Sequence, residues 1–324
     1  MTTESTDKND DELCFDDLSI VVLSYNRRQE LLQNLINLCE IHLSKGAELI
    51  IVDNNSDDGT QADLRALQAR IPTLKIIFSD RNLGVADGRN TGWEAATKSL
   101  ILNLDDDTRI DVDAIQALRA AAHTLPAVGI FTPKVVHAVT DACQNGYGDD
   151  MTEPANFHGA CHLVRAQVWQ SVGRIDSQCT FGGEELDYTI RARSLGYATV
   201  FLPEVKVRHN SLPRQGGIGK WRRQRWVFNF SRIFFKHFPI RHAAPFLIRY
   251  LIAQVMSAIY AGEWGVVPSL FYHALLGMLD GRRSYAPIPR IVLRFYTNYR
   301  LAPDFGNRPV SHKIFRRFAK LSFG

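Results

Sequence analysis

The chain has 324 residues, 45% hydrophobic and 22% charged, proportions that predict a folded protein whose core needs no disulfide or metal for its stability. Its net charge of +4 is unevenly distributed, because residues 1–202 contain 17 Lys and Arg against 30 Asp and Glu, whereas residues 203–324 contain 21 against 4. The division predicts an acidic half able to hold a metal and a basic half able to meet phosphates or an anionic membrane, although a solvated basic face fits it equally well.

The N-terminal segment and the cysteines bear on the cellular compartment. Residues 1–16 are polar and acidic without an apolar run, which predicts a disordered tail and does not resemble a secretory signal. The five cysteines include no CxxC pair and leave one unpaired, so a disulfide framework is not expected. A reducing, cytoplasmic compartment is therefore favoured.

From residue 19 to residue 105, short β-branched runs alternate with helical patterns. Strands are predicted at 19–24, 48–53, 74–79 and 99–105, and helices at 30–43, 61–70 and 86–98. Continuous apolar runs joined by helices indicate a parallel sheet with right-handed crossovers. Ligands of such sheets bind at the carboxyl ends of the strands, where this chain has SYN, DNNSDDGT and DDDT.

Beyond Gly129 the pattern becomes irregular and then changes character. Strands are predicted at 129–136, 158–165, 197–202 and 205–209, with a short helix at 185–195. After Pro213 the chain is basic and aromatic, and helical segments broken by prolines continue to the end. We therefore expect an α/β domain over residues 17–212 and a mostly α-helical, basic region over residues 213–324.

Three consecutive carboxylates, Asp105, Asp106 and Asp107, follow a buried strand. Adjacent carboxylates repel one another and are costly to hold together unless a cation neutralises them. Alternate residues of an extended loop share a face, so Asp105 and Asp107 can converge on one Mn²⁺ or Mg²⁺ ion, which would neutralise a diphosphate. The alternative is a solvated acidic loop that caps the helix beginning near Asp111.

The segment from Asp53 to Thr60, DNNSDDGT, lies where a strand turns into a helix. Its side chains could cap that helix and contact the edge of a nucleobase or a ribose. A merely polar turn between strand and helix is the alternative. The chain contains no GxGxxG, which weakens any dinucleotide-binding interpretation.

Taken together, residues 18–212 resemble the inverting glycosyltransferases of family 2, which have a GT-A fold, a Rossmann-like mixed sheet flanked by helices. The resemblance is carried by SIVVLSYNRR, ELIIVDNNSDDGT, DRNLGVADGRNTG, LNLDDDT, and FGGEELDYTIRARSLGY followed by VKVRHN. Singly these segments are moderate signals, but in this order and spacing they are strong. The C-terminal region resembles, more loosely, the tails of bacterial enzymes that build envelope polysaccharides, rhamnosyltransferases among them.

The resemblance implies roles for matching positions on the donor side. Tyr25, Asp53 and Asn54 would line the nucleoside pocket, with Tyr25 beside the base and Asn54 where many members have aspartate. Arg89 would contact the nucleotide or its phosphates; alternatively it pairs on the surface with a neighbouring aspartate, Asp87 or Asp80. Asp106 would face the sugar nucleotide.

The same resemblance implies the metal ligands and the base. Asp105 and Asp107 match the metal-binding DxD motif, and His209 matches a histidine that is a third ligand in some members. Glu185 matches the general base of the ED motif, where aspartate is commoner; a helix N-cap is the alternative. Asp187 and Arg191 are four residues apart and would form a helical ion pair.

The basic C-terminal region has several possible partners. The loop 214–225, with Trp221 and the neighbouring Trp226, could close over the donor diphosphate or bind a phosphorylated acceptor. The apolar stretch 243–261 is long enough to span a bilayer, but an interfacial helix or a soluble core helix are the alternatives. We expect peripheral attachment to the inner face of the cell membrane. Nucleic acid is not an expected partner, given the acidic catalytic half.

The sequence thus predicts a metal-dependent inverting glycosyltransferase that moves a hexose or deoxyhexose. The donor would be a UDP- or dTDP-linked sugar, and the acceptor a hydroxyl of a glycan or lipid-linked glycan in cell-envelope polysaccharide synthesis. A nucleotidyltransferase and an inactive sugar-nucleotide-binding protein are the competing interpretations.

Overall fold

The computed structural model describes residues 14–211 and 219–297. Within them, eight strands form one mixed sheet in the order β3-β2-β1-β4-β7-β6-β8-β5. The strands are β1 Leu18–Ser24, β2 Glu48–Asp53, β3 Lys75–Phe78, β4 Leu100–Asp105, β5 Thr108–Arg109, β6 Val128–His137, β7 Cys161–Arg165 and β8 Ala198–His209. This is the mixed α/β sheet that the GT-A resemblance implies.

The first half of the sheet is parallel, as its continuous apolar runs predict. Strands β3, β2, β1 and β4 pair side by side in parallel. The helices that connect them are α1 Arg28–Lys45, α2 Thr60–Arg70 and α3 Gly84–Ala95. Each predicted helix of this half is therefore confirmed, with its bounds displaced by at most three residues.

The second half is mixed and departs further from the prediction. Strand β7 runs antiparallel to both β4 and β6, whereas β6 and β8 are parallel. The two strands predicted at 197–202 and 205–209 are one continuous strand, β8, with a register irregularity beside Pro133. The two-residue strand β5 was not predicted, because a run so short has no hydrophobic period.

Three helices accompany this second half. They are α4 Val112–Thr124, α5 Ala166–Val172 and α6 Glu184–Ser194. Helix α5 was not predicted, whereas α6 confirms the short helix expected at 185–195. Arg191 Nε donates to Asp187 Oδ2 over 2.7 Å, so the predicted helical ion pair is present.

The apolar core lies on both faces of the sheet. Helices α1, α2 and α4 pack on one face, and α3, α5 and α6 on the other. Helix α3 approaches the sheet very closely through two glycines. A Cβ added at Gly88 would lie 2.6 Å from a Leu23 methyl, and one added at Gly92 would lie 2.3 Å from a Val21 methyl.

The C-terminal helices are α7 Lys220–His237, α8 Ile240–Tyr260, α9 Val267–Arg283 and α10 Arg290–Thr297, with a 3₁₀ turn at Trp264–Val266. Their buried side chains belong to the same apolar core as those of α3 and α6. The Tyr296 hydroxyl donates to Ala155 O over 2.9 Å, so even the last described helix is tied to the α/β portion.

Buried charges also join the two portions. Asp187 of α6 is fully buried and contacts Arg191 (2.7 Å), Lys236 Nζ (2.8 Å) and His237 Nε2 (2.8 Å). Burial disfavours its charge, but His237, Arg191 and Lys236 together hold the pKa of Asp187 well below its usual range. Lys236 also donates to Asp176 over 2.6 Å. Helices α6 and α7 are therefore joined by complementary charges as well as by apolar packing.

Among the described residues, α8 is the one helix long and apolar enough to cross a membrane, and only 22% of its apolar window is buried. Helices α8 and α9 contact each other and α7, and both expose apolar stripes. We name these stripes the α8–α9 apolar face; its central members, each about half exposed, are Ile248, Ile252, Met256, Phe271, Leu275 and Leu279. The 3₁₀ turn between the two helices adds Trp264, 62% exposed.

Candidate active site

The carboxyl ends of neighbouring strands bring the polar segments together, as the sequence predicts. In the sheet register, Ser24 of β1 lies opposite Asp53 of β2, and Leu23 of β1 lies opposite Asp105 of β4. The segments SYN, DNNSDDGT and DDDT therefore leave the sheet side by side. Because parallel strands end at one edge, their side chains can act on one ligand.

Two tight turns shape this edge. Asn26 follows β1 with φ +50°, and Asn55 follows β2 with φ +67°. Asparagine adopts this left-handed conformation more readily than most residues. Asn26 N donates to Ser56 Oγ (3.0 Å), and Asp57 N donates to Asn26 Oδ1 (2.9 Å). The loops after β1 and β2 are thus fixed to each other.

Asp105, Asp107 and His209 form a cluster suited to a cation. One ligand atom from each lies within 4.8 Å of the other two. His209 reaches the aspartates because β5 pairs with β8, placing Thr108 opposite His209. Carboxylate oxygens with one imidazole are a ligand set suited to Mn²⁺ or Mg²⁺. The residues present therefore fit the divalent cation that the sequence predicts.

Asp107 and His209 stabilise each other's charged forms. His209 Nε2 lies 3.1 Å from Asp107 Oδ1, and His209 Nδ1 lies 2.6 Å from Gln144 Oε1. Burial disfavours a charge on Asp107, but His209 and Arg27 outweigh it and lower the pKa of this carboxyl. Burial likewise opposes the charge on His209, yet Asp107 raises the pKa of the imidazole. A cation can bind here only through the neutral imidazole of His209.

Asp106 points away from that cluster, toward the end of β1. Its Oδ2 accepts hydrogen bonds from Ser24 Oγ (2.9 Å) and Tyr25 N (3.4 Å). Burial, reinforced by the neighbouring aspartates and opposed by Arg27, raises the pKa of Asp106 to about 7. The Tyr25 ring is 44% exposed beside it, at the rim of the site. Asp106 thus fixes the turn that presents Tyr25.

Arg27 is a member of the site to which the sequence analysis assigned no role. Its Nη1 contacts Asp107 Oδ2, and its Nε lies 3.8 Å from Asp106 Oδ1. Burial works against its charge, but Asp107 and Asp106 raise the pKa of the guanidinium. The sequence feature that could have identified Arg27 as a site residue is its position in SYNRR, two residues after Tyr25.

On the nucleoside side, Asp53 and Asn54 are both buried but differ in their partners. Asp53 Oδ2 accepts from Gln61 Nε2 (2.8 Å), whereas Asp53 Oδ1 has no hydrogen-bond partner in the described part of the chain. Asn54 Oδ1 accepts from Leu83 N (2.8 Å), and Asn54 Nδ2 donates to Gly84 O (3.2 Å). Asn54 therefore holds the start of α3, while Asp53 retains an unused acceptor.

Arg89 lies in the interior, between the cation cluster and the ED motif. Its guanidinium donates to Asp105 Oδ1 (3.0 Å), Glu184 Oε1 (3.0 Å) and Gly159 O (2.9 Å). The residue is only 2% exposed. The alternative of a surface pair with a neighbouring aspartate is therefore wrong. Its contact with a nucleotide or phosphate stays a prediction.

The two glutamates of the ED motif occupy different environments. Glu184 is 3% exposed, and burial, followed by the negative charge of Glu185, raises its pKa to about 8. Glu185 is partly exposed, and its Oε1 lies so close to Gly159 that a Cβ added there would be 2.5 Å away. Burial raises the pKa of Glu185, and the positive charge of Arg89 opposes that rise. Of the two carboxylates, Glu185 is thus the more accessible.

The loop before Glu184 is held by helix α7, which the sequence analysis did not foresee. Asn229 Nδ2 donates to Phe181 O (3.1 Å) and Gly182 O (2.7 Å). The Phe181 ring stacks on Trp226 with centroids 6.0 Å apart and lies 5.5 Å from Trp221. The ED motif is consequently positioned by the C-terminal helices as well as by the sheet.

A mixed sheet with a DxD-like acidic cluster at the carboxyl end of its parallel strands is the architecture of GT-A glycosyltransferases. Comparison with protein families agrees: the model described as "Glycosyl transferase family 2" matches residues 19–142, and "Glycosyl transferase family group 2" matches residues 100–280. The chain belongs to glycosyl transferase family 2.

Sequence relatives are distant and cover different shares of the chain. An uncharacterized protein of Haemophilus influenzae is 35% identical over 98 residues, 29% of this chain and 51% of the relative. Glycosyltransferase AglE of Haloferax volcanii is 25% identical over 232 residues, 65% of this chain and 75% of AglE. A Campylobacter jejuni GalNAc(5)-diNAcBac-PP-undecaprenol beta-1,3-glucosyltransferase is 29% identical over 33% of this chain and 34% of that enzyme. The chain spans about half the length of the Haemophilus relative.

Solved structures share the fold at low identity. GalNAc-T7 with UDP, GalNAc and Mn²⁺ has a TM-score of 0.59 and 13% identity, covering 91% of this chain and 60% of GalNAc-T7. Mannosyltransferase PcManGT of Pyrobaculum calidifontis with GDP-Man and Mn²⁺ has a TM-score of 0.53 and 16% identity, covering 94% of this chain and 83% of PcManGT. The likeness extends over the C-terminal helices as well as the sheet.

Proposed function

We propose that this chain is a metal-dependent inverting glycosyltransferase. It moves a hexose or deoxyhexose from a UDP- or dTDP-linked donor to a hydroxyl of a glycan or glycolipid acceptor in cell-envelope polysaccharide synthesis. The observation that carries the proposal is the bridge made by Arg89, whose guanidinium contacts both Asp105 of the cation cluster and Glu184 of the ED motif. A cation-binding group and a carboxylate base are thereby held beside one another, as transfer from a nucleotide sugar requires.

Asp105, Asp107 and His209 would hold Mn²⁺ or Mg²⁺. When bound, such an ion neutralises the donor diphosphate and stabilises it as the leaving group. Support comes from the ligand set itself and from the Mn²⁺ present with nucleotides in the GalNAc-T7 and PcManGT structures. The nucleoside would lie over the ends of β1 and β2, with the exposed Tyr25 ring beside the base and Asp53 Oδ1 as an acceptor.

Glu185 would act as the general base. Inversion requires one group to take the proton of the acceptor hydroxyl while the diphosphate leaves from the opposite face of the sugar. The raised pKa of Glu185 gives its carboxylate more affinity for that proton than an ordinary glutamate has. Its neighbour Glu184 is buried and bonded to Arg89, so Glu184 would position Arg89 instead of reacting.

We propose further that residues 17–212 form the catalytic domain and residues 213–324 a helical region for the acceptor or the membrane. The α8–α9 apolar face would lie on an anionic bilayer at the cytoplasmic side, flanked by exposed Arg241, Arg282 and Arg283. Exposed Trp264 is of a type that settles at membrane interfaces. A lipid-linked acceptor agrees with the undecaprenol in the name of the Campylobacter relative. The narrower resemblance to rhamnosyltransferases stays a prediction.

Incubation of the whole chain with Mn²⁺ and a panel of sugar nucleotides tests the proposal through slow donor hydrolysis. We expect free nucleoside diphosphate, whereas pyrophosphate would identify a nucleotidyltransferase and no turnover a binding protein. EDTA should abolish the reaction. Asp107→Asn should greatly weaken both the activity and Mn²⁺-dependent nucleotide binding while the protein stays folded, because an anionic ligand is lost. Full activity of that variant, or of the wild type in EDTA, contradicts metal dependence.

A further inference from the structure

The backbone that carries Arg27 is firmly held. Asn26, immediately before it, is bound by Ser56 Oγ and Asp57 N at the tight turn after β1. Arg27 O accepts a hydrogen bond from Leu31 N (3.0 Å) in the first turn of α1. The Cα of Arg27 therefore has a fixed position at the edge of the site.

The side chain of Arg27 is less restricted than its backbone. It is 34% exposed, and its contacts with Asp106 and Asp107 are made by the guanidinium at the end of a long, rotatable chain. Asp107 Oδ2, which Arg27 contacts, belongs to a carboxylate that the cation cluster also requires. Arg27 and a divalent cation therefore compete for the same carboxylate.

A second arginine, on helix α7, is close enough to Arg27 for the two charges to interact. Arg222 of α7 has its guanidinium 5.0 Å from the centre of the Phe181 ring. Burial, and then the positive charge of Arg27, lower the pKa of Arg222. Two guanidinium groups held near each other repel, and a bound polyanion relieves that repulsion. The two arginines beside the cation cluster thus favour a ligand with several negative charges.

We propose that Arg27 is a mobile counter-ion that couples cation binding to nucleotide-diphosphate binding. Arg27 pairs with Asp107 until a divalent cation binds that carboxylate. The Arg27 guanidinium then rotates toward the diphosphate of the donor. Each ligand therefore makes the other bind more tightly, because the cation displaces the Arg27 guanidinium from Asp107 and the diphosphate then pairs with that guanidinium. This inference rests on the proposed function and adds a regulatory role at the donor site.

The coupling is measured by titrating the full chain with Mn²⁺ in the presence and absence of UDP or dTDP, with detection of free Mn²⁺ by electron paramagnetic resonance. In the wild type we expect the nucleotide to tighten Mn²⁺ binding by about 5- to 150-fold, the usual range of coupling between sites. In Arg27→Gln we expect tighter binding of Mn²⁺ alone, because its competitor is gone, and a coupling factor at least several-fold smaller. Arg27→Lys, which retains the charge, should lie between the two.

Arg28→Gln is the matched control. Arg28 carries the same charge one residue further on, but its Nε donates to Asp63 (2.5 Å), outside the cation cluster. This variant should bind Mn²⁺ alone as the wild type does. The inference is overturned if Arg27→Gln binds Mn²⁺ alone no more tightly than the wild type, or keeps the full coupling. If the wild type binds neither Mn²⁺ nor nucleotide, the proposed function fails together with this inference.

Discussion

Charged side chains are arranged differently at the edge of the sheet and in the C-terminal helices. At the sheet edge, three consecutive aspartates lie beside Arg27, Arg89 and His209, and the pKa of Asp106 is raised to about 7. Where the C-terminal helices meet α6, buried Asp187 pairs with Arg191 and Lys236, and elsewhere in these helices large apolar side chains face outward.

This difference separates the two tasks of the molecule. Groups whose pKa values are shifted by burial and neighbouring charges are typical of sites that bind and release charged ligands. Compensated buried charges fix one element against another, and exposed apolar stripes bind surfaces. We therefore expect substitutions at the sheet edge to alter the reaction, and substitutions in the helices to alter stability and location.

The largest effect is expected at Glu185. Glu185→Gln should retain donor binding and lose about 10²–10⁴-fold in kcat, because an amide keeps the size of the side chain but cannot accept the proton. Glu184→Gln is the control, because the amide oxygen of glutamine can still accept the hydrogen bond from Arg89, so this variant should keep most of its kcat. Steady-state kinetics and nucleotide titration measure both variants. A parallel loss of donor affinity in Glu185→Gln would place Glu185 in the donor site.

At the junction of the two regions, Asp187→Ala should lower the free energy of unfolding by about 3–5 kcal/mol, because Lys236 and Arg191 lose a buried counter-charge and His237 loses a hydrogen-bond partner. Urea denaturation with circular dichroism measures this loss. Asp63→Ala, which removes an exposed ion pair with Arg28, should leave the free energy of unfolding almost unchanged. Separate unfolding transitions for sheet and helices would contradict the view that these buried charges join them into one unit.

The pH dependence tests the bridge made by Arg89. The positive charge of Arg89 lowers the pKa of Glu185, so Arg89→Met should raise that pKa. A base must be deprotonated to react, so activity would then be lost at a higher pH, with the acid limb of the kcat profile moved upward by about one unit or more. Arg89→Lys retains the charge and should move the limb less. An unmoved acid limb in Arg89→Met would show that another group is titrating.

The smallest effect concerns the membrane. The protein should sediment with anionic liposomes at low salt and be partly released by high salt, since each nearby Lys or Arg adds about 1 kcal/mol that salt screens. Ile252→Ser should weaken the liposome binding that remains at high salt by about 1 kcal/mol, because less apolar surface enters the lipid. Ile36→Ser on α1, where Ile36 is 75% exposed, is the matched control. Release by detergent alone would instead indicate that α8 spans the bilayer. An absence of binding at every salt concentration would exclude the membrane as a partner of this protein.

Sequence reasoning was strongest where function is carried by adjacent residues. Asp105 and Asp107 follow a recognisable strand, and the structure brings them together with His209. It was weakest where contacts join distant segments. Arg89 was expected near the nucleotide or on the surface, but its partner Glu184 lies 95 residues away, a separation that no local pattern reveals. Likewise, Asn229 holds the ED loop through backbone oxygens, for which the sequence contains no signal.

The close seating of α3 on the sheet has a consequence for which substitutions the enzyme tolerates. Arg89 lies between Gly88 and Gly92, whose missing side chains leave room for Leu23 and Val21. One methyl group at either glycine would push the helix outward and carry Arg89 with it, away from Asp105 and Glu184. Residue volume on the sheet-facing side of α3 can therefore be as decisive for turnover as the chemistry of the reacting groups.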